Sequence, residues 1–180
     1  MFLWRPFHHQ GRVYDLSHLH PRTIVYQQPA KRDKPGRRYI VNVIFGLHCF
    51  TRRMEDGKVP QTGLIYSDNR ESRVFDFRRF ELSQLLPGII ECLPLRKCYH
   101  TGRSNFFSIE ITQQDGRRVE YDIFFAVSRS SRKGVLNLYV QSAYVRDPQY
   151  GANRPEKRPI GFYVILFNTL NNRPINPAPK

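Results

Sequence analysis

Alternation of apolar and polar residues in the second half of the chain is the feature that most constrains its fold. Apolar side chains occupy every second position over 107–111, 119–127 and 136–140. A period of two places such side chains on one face of a strand. Asp115-Gly116, between the first two segments, is a typical hairpin turn signal. The pattern therefore predicts a three-stranded antiparallel meander.

Further strands are expected elsewhere in the chain. Residues 23–26 and 64–66 are short apolar segments with strand composition. The run 39–50 is almost continuously apolar, which predicts a strand buried on both faces. Residues 160–170 form a second apolar run, interpreted as the closing strand of the sheet.

One helix is predicted, at about residues 77–92. Asp76 is suited to cap its amino terminus, and Pro87-Gly88 should break or kink it. The chain length of 180 residues suits one domain. The sequence thus predicts a single α+β domain over 1–180, with a mobile basic tail at about 171–180. Its curved antiparallel sheet or partly closed barrel, of about six to seven strands, would pack on this one main helix.

Charge limits the classes of partner. The chain carries 29 Lys and Arg against 15 Asp and Glu, a formal net charge of +14. Such an excess attracts phosphate backbones and releases their counterions. Nucleic acid is the favoured partner, with RNA favoured over DNA. An acidic protein partner and a purely solubilising charge are the alternatives.

Several classes of protein find no support in the sequence. Three cysteines without a CxxC spacing indicate neither a disulfide framework nor a structural zinc site. The P-loop and dinucleotide-binding patterns are absent, so no cofactor is predicted. His18 and His20 share one strand face but lack a third metal ligand, so no metal is predicted. The amino terminus has no long apolar run, and we expect a cytoplasmic protein without a membrane span.

Histidines and arginines offer a route to metal-independent RNA cleavage. Such cleavage needs a base for the 2′-OH, an acid for the leaving oxygen and cations for the phosphate. His48 ends an apolar strand, and His100 lies in a polar loop with Arg103. We expect His48, His100, Arg103 and Arg146 to surround a phosphate if these elements are neighbours. The alternative is a core histidine at position 48 and a surface histidine at position 100.

A second set of residues is predicted to bind nucleic acid. The segment 29–38 is the densest cationic stretch, and two arginines follow His48. Exposed aromatic rings beside Arg can stack bases while Arg holds phosphates. The predicted binding residues are Lys31, Arg32, Arg37, Arg38, Arg52, Arg53 and Tyr144. For Tyr144, the alternative is a polar margin of the sheet.

Three motifs carry a resemblance to known proteins. Residues 79–87 read RFELSQLLP, Cys98-Tyr99 leads to FSIE at 107–110, and 138–144 reads LYVQSAY. Together they resemble small bacterial proteins of integrative elements and plasmids that are labelled stationary-phase growth adaptation proteins. The resemblance covers roughly residues 75–170. It implies a mobile-element origin and an effect on host growth, and it implies no catalytic residue.

Two functions from different classes follow from these observations. The leading hypothesis is a basic nucleic-acid-binding protein that acts as a metal-independent ribonuclease and restrains host growth. The alternative is a non-catalytic DNA- or RNA-binding accessory or adaptor protein of a mobile element. Cleavage distinguishes the two, because the alternative predicts salt-sensitive binding without turnover.

Overall fold

The computed structural model describes residues 3–32, 34–54, 57, 63–100, 105–112, 116, 118–145 and 158–175. Strands predominate, and three α-helices accompany them, so the predicted α+β class is confirmed. The strands in chain order are β1 (Phe7–His9), β2 (Arg12–Tyr14), β3 (Arg22–Gln28), β4 (Arg37–His48), β5 (Thr51–Arg52), β6 (Ile65–Ser67), β7 (Ser72–Phe75), β8 (Cys98–His100), β9 (Asn105–Thr112), β10 (Arg118–Arg129), β11 (Val135–Val145) and β12 (Arg158–Ile160).

Seven strands form the main sheet, in the order β12-β8-β9-β10-β11-β4-β3. The predicted meander is confirmed, since β9, β10 and β11 pair antiparallel in sequence order. β1 with β2 and β5-β7-β6 form two smaller sheets. The smaller sheets place the β6–β7 turn next to the end of β4, where the candidate site lies.

The prediction of a purely antiparallel sheet is wrong at one pair. β11 runs parallel to β4, with Leu138 opposite Val43. Parallel neighbours need a long crossover connection, and the segment between β4 and β11 supplies it with the small sheet, two helices and the first meander strands. Turn signals indicate only strands that are neighbours in a hairpin, so the local sequence could not predict this parallel pairing.

The predicted helix over 77–92 is two short helices. α1 (Phe77–Ser83) starts at Asp76, whose Oδ1 accepts a hydrogen bond from the backbone N of Arg79 at 2.9 Å, as the cap prediction required. α2 (Leu86–Glu91) begins one residue before Pro87. Proline is tolerated in a first helical turn, where its missing N–H costs no bond. Pro87 therefore lies in the first turn of a second helix, and the predicted break falls just before it.

The predicted strand over 160–170 is wrong for most of its length. Only Ile160 belongs to a strand, β12, and α3 (Phe162–Leu170) follows it. The buried positions Phe162, Ile165 and Leu166 show helical spacing. A continuous apolar run does not distinguish a buried strand from a buried helix, so the periodicity of this segment could not identify the helix.

The two faces of the main sheet differ in what covers them. On β4, Val41, Val43 and Phe45 are buried on the inner face. α2 and α3 cover this face, because the Tyr26 hydroxyl donates to the carbonyl of Ile90 and the Tyr26 ring contacts Phe162. The other face of β4 is half-buried or exposed at alternate positions from residue 38 to 48 except at Gly46. Burial on both faces, as predicted for this strand, is therefore wrong for the outer face.

The start of the predicted mobile tail is attached to α3. The Asn168 amide donates to the carbonyl of Pro174 at 3.0 Å, and the Arg173 guanidinium lies 5.3 Å from the Phe167 ring centre. Residues 176–180 lie outside the described residues. No helix within the described ranges is long and apolar enough to cross a membrane.

Candidate nucleic-acid interface and the His48 site

Cations gather at one end of the main sheet. Because β4 and β11 are parallel, the loops that precede them lie at the same end, and α3 also finishes there. A recess of about 670 Å³ separates the β10–β11 loop from Leu170. Nine exposed side chains, hereafter the basic end, belong to this region: Lys31, Arg32, Lys34, Arg37, Arg38, Arg129, Arg132, Lys133 and Arg173.

The charge of the basic end is not compensated within the described part of the chain. No side chain of the basic end forms an ion pair with a described residue, whereas His48, Arg52 and Arg73 elsewhere do. Arg37 and Arg173 both lie over the ring of Phe167, at 4.3 and 5.3 Å, which joins the β3–β4 hairpin to the tail. Like charges held this close favour a multivalent anion.

The predicted binding residues divide into three groups: four cations of the basic end, two arginines near the end of β4, and Tyr144. Lys31, Arg32, Arg37 and Arg38 belong to the basic end. Arg52 and Arg53 instead lie near the carboxyl end of β4, roughly 30 Å away along the strand. The Arg52 Nε lies 3.9 Å from a carboxylate oxygen of Asp76.

Tyr144 is held by neighbouring side chains. Its ring stacks on Phe124 at 5.7 Å, and the Arg79 guanidinium lies 5.2 Å from its centre. Arg79 also donates to the carbonyls of His48 and Thr51, at 3.2 and 2.7 Å. Burial lowers the pKa of Arg79, and the Asp76 carboxylate opposes that shift. This contact set gives Tyr144 and Arg79 a packing role beside the His48 turn.

The predicted pair of His48 and His100 occupies distant strands. His48 ends β4 and His100 ends β8, with three strands of the sheet between them. Four strand spacings amount to roughly 19 Å along the sheet. Arg103 and Arg146 lie outside the described residues. The assumption that His48 and His100 are neighbours is therefore not met by the strand order.

His48 has a different partner, which the sequence did not suggest. Its Nε2 lies 2.7 Å from Oε1 of Glu71, and the two side chains are 39% and 42% exposed. The other carboxylate oxygen of Glu71 accepts from Arg73 at 3.3 Å. Burial alone would raise the pKa of Glu71, but the hydrogen bonds from His48 and Arg73 outweigh it and lower the pKa. In the neutral tautomer that donates Nε2–H to this carboxylate, His48 would present the lone pair of Nδ1.

A groove opens on the outer face beside this pair. It has a volume of about 500 Å³, and we call it the outer groove. Asn42 and Ile44 of β4 and Asn137 and Tyr139 of β11 form its floor, and the turn at 68–71 forms a wall. The Asp68 carboxylate stabilises this turn by accepting from the backbone N–H groups of residues 70 and 71, at 2.8 and 2.9 Å. Sequence reasoning missed the groove, although the polar residues at outward positions of two apolar strands were a usable signal.

Gly46 shapes the floor of the outer groove. A Cβ at this position would lie 2.5 Å from the Tyr139 hydroxyl oxygen and 3.1 Å from the carbonyl oxygen of Gln141. Real Cβ atoms essentially never come within 3.0 Å of another heavy atom, so the tyrosine ring would have to move. The absence of a side chain therefore lets the Tyr139 ring cross from β11 onto β4.

Gly46→Ala is expected to lower the free energy of unfolding by about 1–3 kcal/mol, because the added methyl group overpacks the floor. Gly88→Ala is the matched control. A Cβ at Gly88 meets nothing within 4 Å, and alanine in α2 should be neutral or stabilising. Urea unfolding of the two variants checks this. Equal stabilities for Gly46→Ala and wild type would contradict the close approach of Tyr139.

The remaining histidines with described contacts have structural partners. Nε2 of His18 lies 2.8 Å from the Ser83 hydroxyl, and Nε2 of His20 lies 3.1 Å from the carbonyl of Trp4. Among the described residues, no group of three or more His, Cys, Asp or Glu is placed to hold a metal ion.

Comparison with protein families matches residues 6–170 to the model described as the YjaZ family. The chain belongs to the YjaZ family. This match spans the main sheet, the basic end except for Arg173, and the outer groove. It specifies no function and provides no link to mobile-element growth adaptation proteins. Neither the curated proteins nor the solved structures provide a match.

Proposed function

We propose that this member of the YjaZ family binds nucleic acid, with RNA favoured over DNA. The observation that carries the proposal is the basic end, where nine exposed cations lack an ion-pair partner among the described residues. Arginine predominates there, and its planar guanidinium suits bidentate phosphate contacts. We also infer that one domain with a curved sheet carries the basic end and the outer groove together.

The outer face offers a path for a single strand. Arg38 at the basic end and His48 at the outer groove lie on the same face of β4, roughly 33 Å apart. Exposed apolar positions between them include Ile44 and the neighbouring Tyr139, at 36% and 38% exposure. Single-stranded nucleic acids bind such combinations of a cationic patch and exposed rings.

Binding to a short fluorescent RNA, and to DNA of the same sequence, tests the proposal. We expect log K to fall linearly with log salt, by about 0.7 per phosphate contact for a single strand. RNA should bind more tightly than DNA. An absence of binding to either strand at low salt would contradict the proposal and favour the acidic protein partner.

Ribonuclease activity is a second candidate function, and the His48–Glu71 pair is the observation that favours it. In this reaction Nδ1 of His48 takes the proton of a ribose 2′-OH, and the 2′-oxygen attacks the adjacent phosphorus. The bond from phosphorus to the 5′-oxygen breaks, and that oxygen leaves with a proton from water. The products are a 2′,3′-cyclic phosphate and a 5′-hydroxyl end. Cleavage of host RNA would restrain growth, as the mobile-element resemblance implies.

The non-catalytic alternative keeps the same surface. A DNA- or RNA-binding accessory protein would use the basic end in the same way and leave the bound strand intact. The two candidates therefore differ in turnover alone, which makes His48 the residue to test.

A further inference from the structure

We propose that the outer groove binds one nucleobase, stacked on Tyr139 and hydrogen-bonded to Asn137. This inference rests on the proposed function, because the base would belong to the strand held by the basic end. The groove volume of about 500 Å³ lies within the range of small-ligand sites. The floor of the groove supplies a ring on which the base can stack and amide groups that can form hydrogen bonds to the edge of the base.

Tyr139 provides the stacking surface. Its ring end lies over the backbone of Gly46, so the sheet supports the ring from below. The residue is nonetheless 38% exposed, and the ring borders the groove. An aromatic ring held in one position binds a base face at low entropic cost, whatever the base.

Asn137 provides hydrogen bonds to the edge of the base. The Thr23 hydroxyl donates to Oδ1 of Asn42 at 3.0 Å, and Nδ2 of Asn42 donates to Oδ1 of Asn137 at 3.3 Å. These two hydrogen bonds fix the orientation of the Asn137 amide. Nδ2 of Asn137 has no hydrogen-bond partner among the described residues, and Oδ1 keeps a second lone pair. A donor and an acceptor side by side match the edge of a nucleobase.

Fluorescence of 2-aminopurine, placed at successive positions of a short RNA, tests the proposal in the full chain. The expected result is strong quenching at one position with wild-type protein. Tyr139→Leu should abolish this quenching and weaken binding of the strand by about 5- to 150-fold, without changing the salt slope. Tyr139→Phe should retain the quenching, because the ring remains. Asn137→Leu should weaken binding and leave the salt slope unchanged.

Leu95→Ala, which removes an exposed apolar side chain far from the groove in sequence, is the control and should bind as wild type does. Titration with free 2-aminopurine ribonucleotide identifies the source of the base. If the 2-aminopurine of the RNA is quenched at a much lower ligand concentration than the free nucleotide, the groove binds a base of the strand. If the RNA and the free nucleotide are quenched at equal concentrations, that assignment is overturned in favour of a free nucleotide.

Failure of this proposal is distinguishable from failure of the proposed function. A wild-type protein that binds RNA in a salt-dependent manner, with the same quenching in Tyr139→Leu, overturns the base site and leaves the basic end intact. A wild-type protein that binds no strand overturns both.

Discussion

Replacing Arg38, Arg132 and Lys133 together by Gln is expected to weaken RNA binding about 100-fold at 0.1 M salt. Each phosphate contact to a single strand contributes about 0.7 to the slope of log K against log salt. At 0.1 M salt one contact is thus worth about fivefold relative to 1 M, and three contacts about 100-fold. The salt slope should also fall, by about 2.

The control for this variant removes the same charge elsewhere. Arg12, Arg78 and Lys97 are exposed and lie outside the basic end. Their joint replacement by Gln also lowers the net charge from +14 to +11. If the basic end is the interface, this control should lose far less affinity and keep its salt slope. Equal losses in the two variants would mean that net charge, and not this surface, attracts the strand.

Local patterns in the sequence were sufficient for elements built from local interactions. The alternation that predicted β9 to β11 reflects burial of one face, and the sheet buries that face. Asp76 caps α1 because the cap bond joins residues only three apart. Predictions succeeded wherever the physical cause lay within a few residues of its effect.

The errors arose where distant segments decide the structure. Residues 162–170 became a helix because the inner face of the sheet, packed against Phe162, offered a surface for three buried side chains at helical spacing. The parallel pairing of β4 with β11 depends on a crossover of many residues, which no turn signal announces.

The candidate site shows the same division. His48 was singled out as the polar end of an apolar strand, and the structure gives it a carboxylate partner. Glu71 lies 23 positions away in the sequence, between Arg70 and Arg73, and no local pattern connects it to His48. The Lys31–Arg38 cluster was visible in the sequence. Its neighbours Arg129, Arg132 and Lys133 became part of the same surface only through the parallel pairing.

His48→Gln is expected to lower any RNA cleavage by about 10²- to 10⁴-fold, the usual contribution of a positioned general base. Binding should change little, because His48 lies outside the basic end and does not line the outer groove. Glu71→Gln should cause a smaller loss, since Nε2 keeps an acceptor but loses the ionised partner that fixes its proton. Cleavage is measured as release of a 2′,3′-cyclic phosphate end, with binding measured in parallel.

The control for His48→Gln is His100→Gln, on a strand four spacings away in the sheet. It should cleave as wild type does if His48 acts with Glu71, and should lose cleavage if the originally predicted pair of histidines is the catalytic one. Equal cleavage by wild type and both histidine variants would assign the activity to other residues or to a contaminant. A wild-type protein that binds RNA tightly and never cuts it would leave the accessory function, because the basic end alone requires no proton transfer.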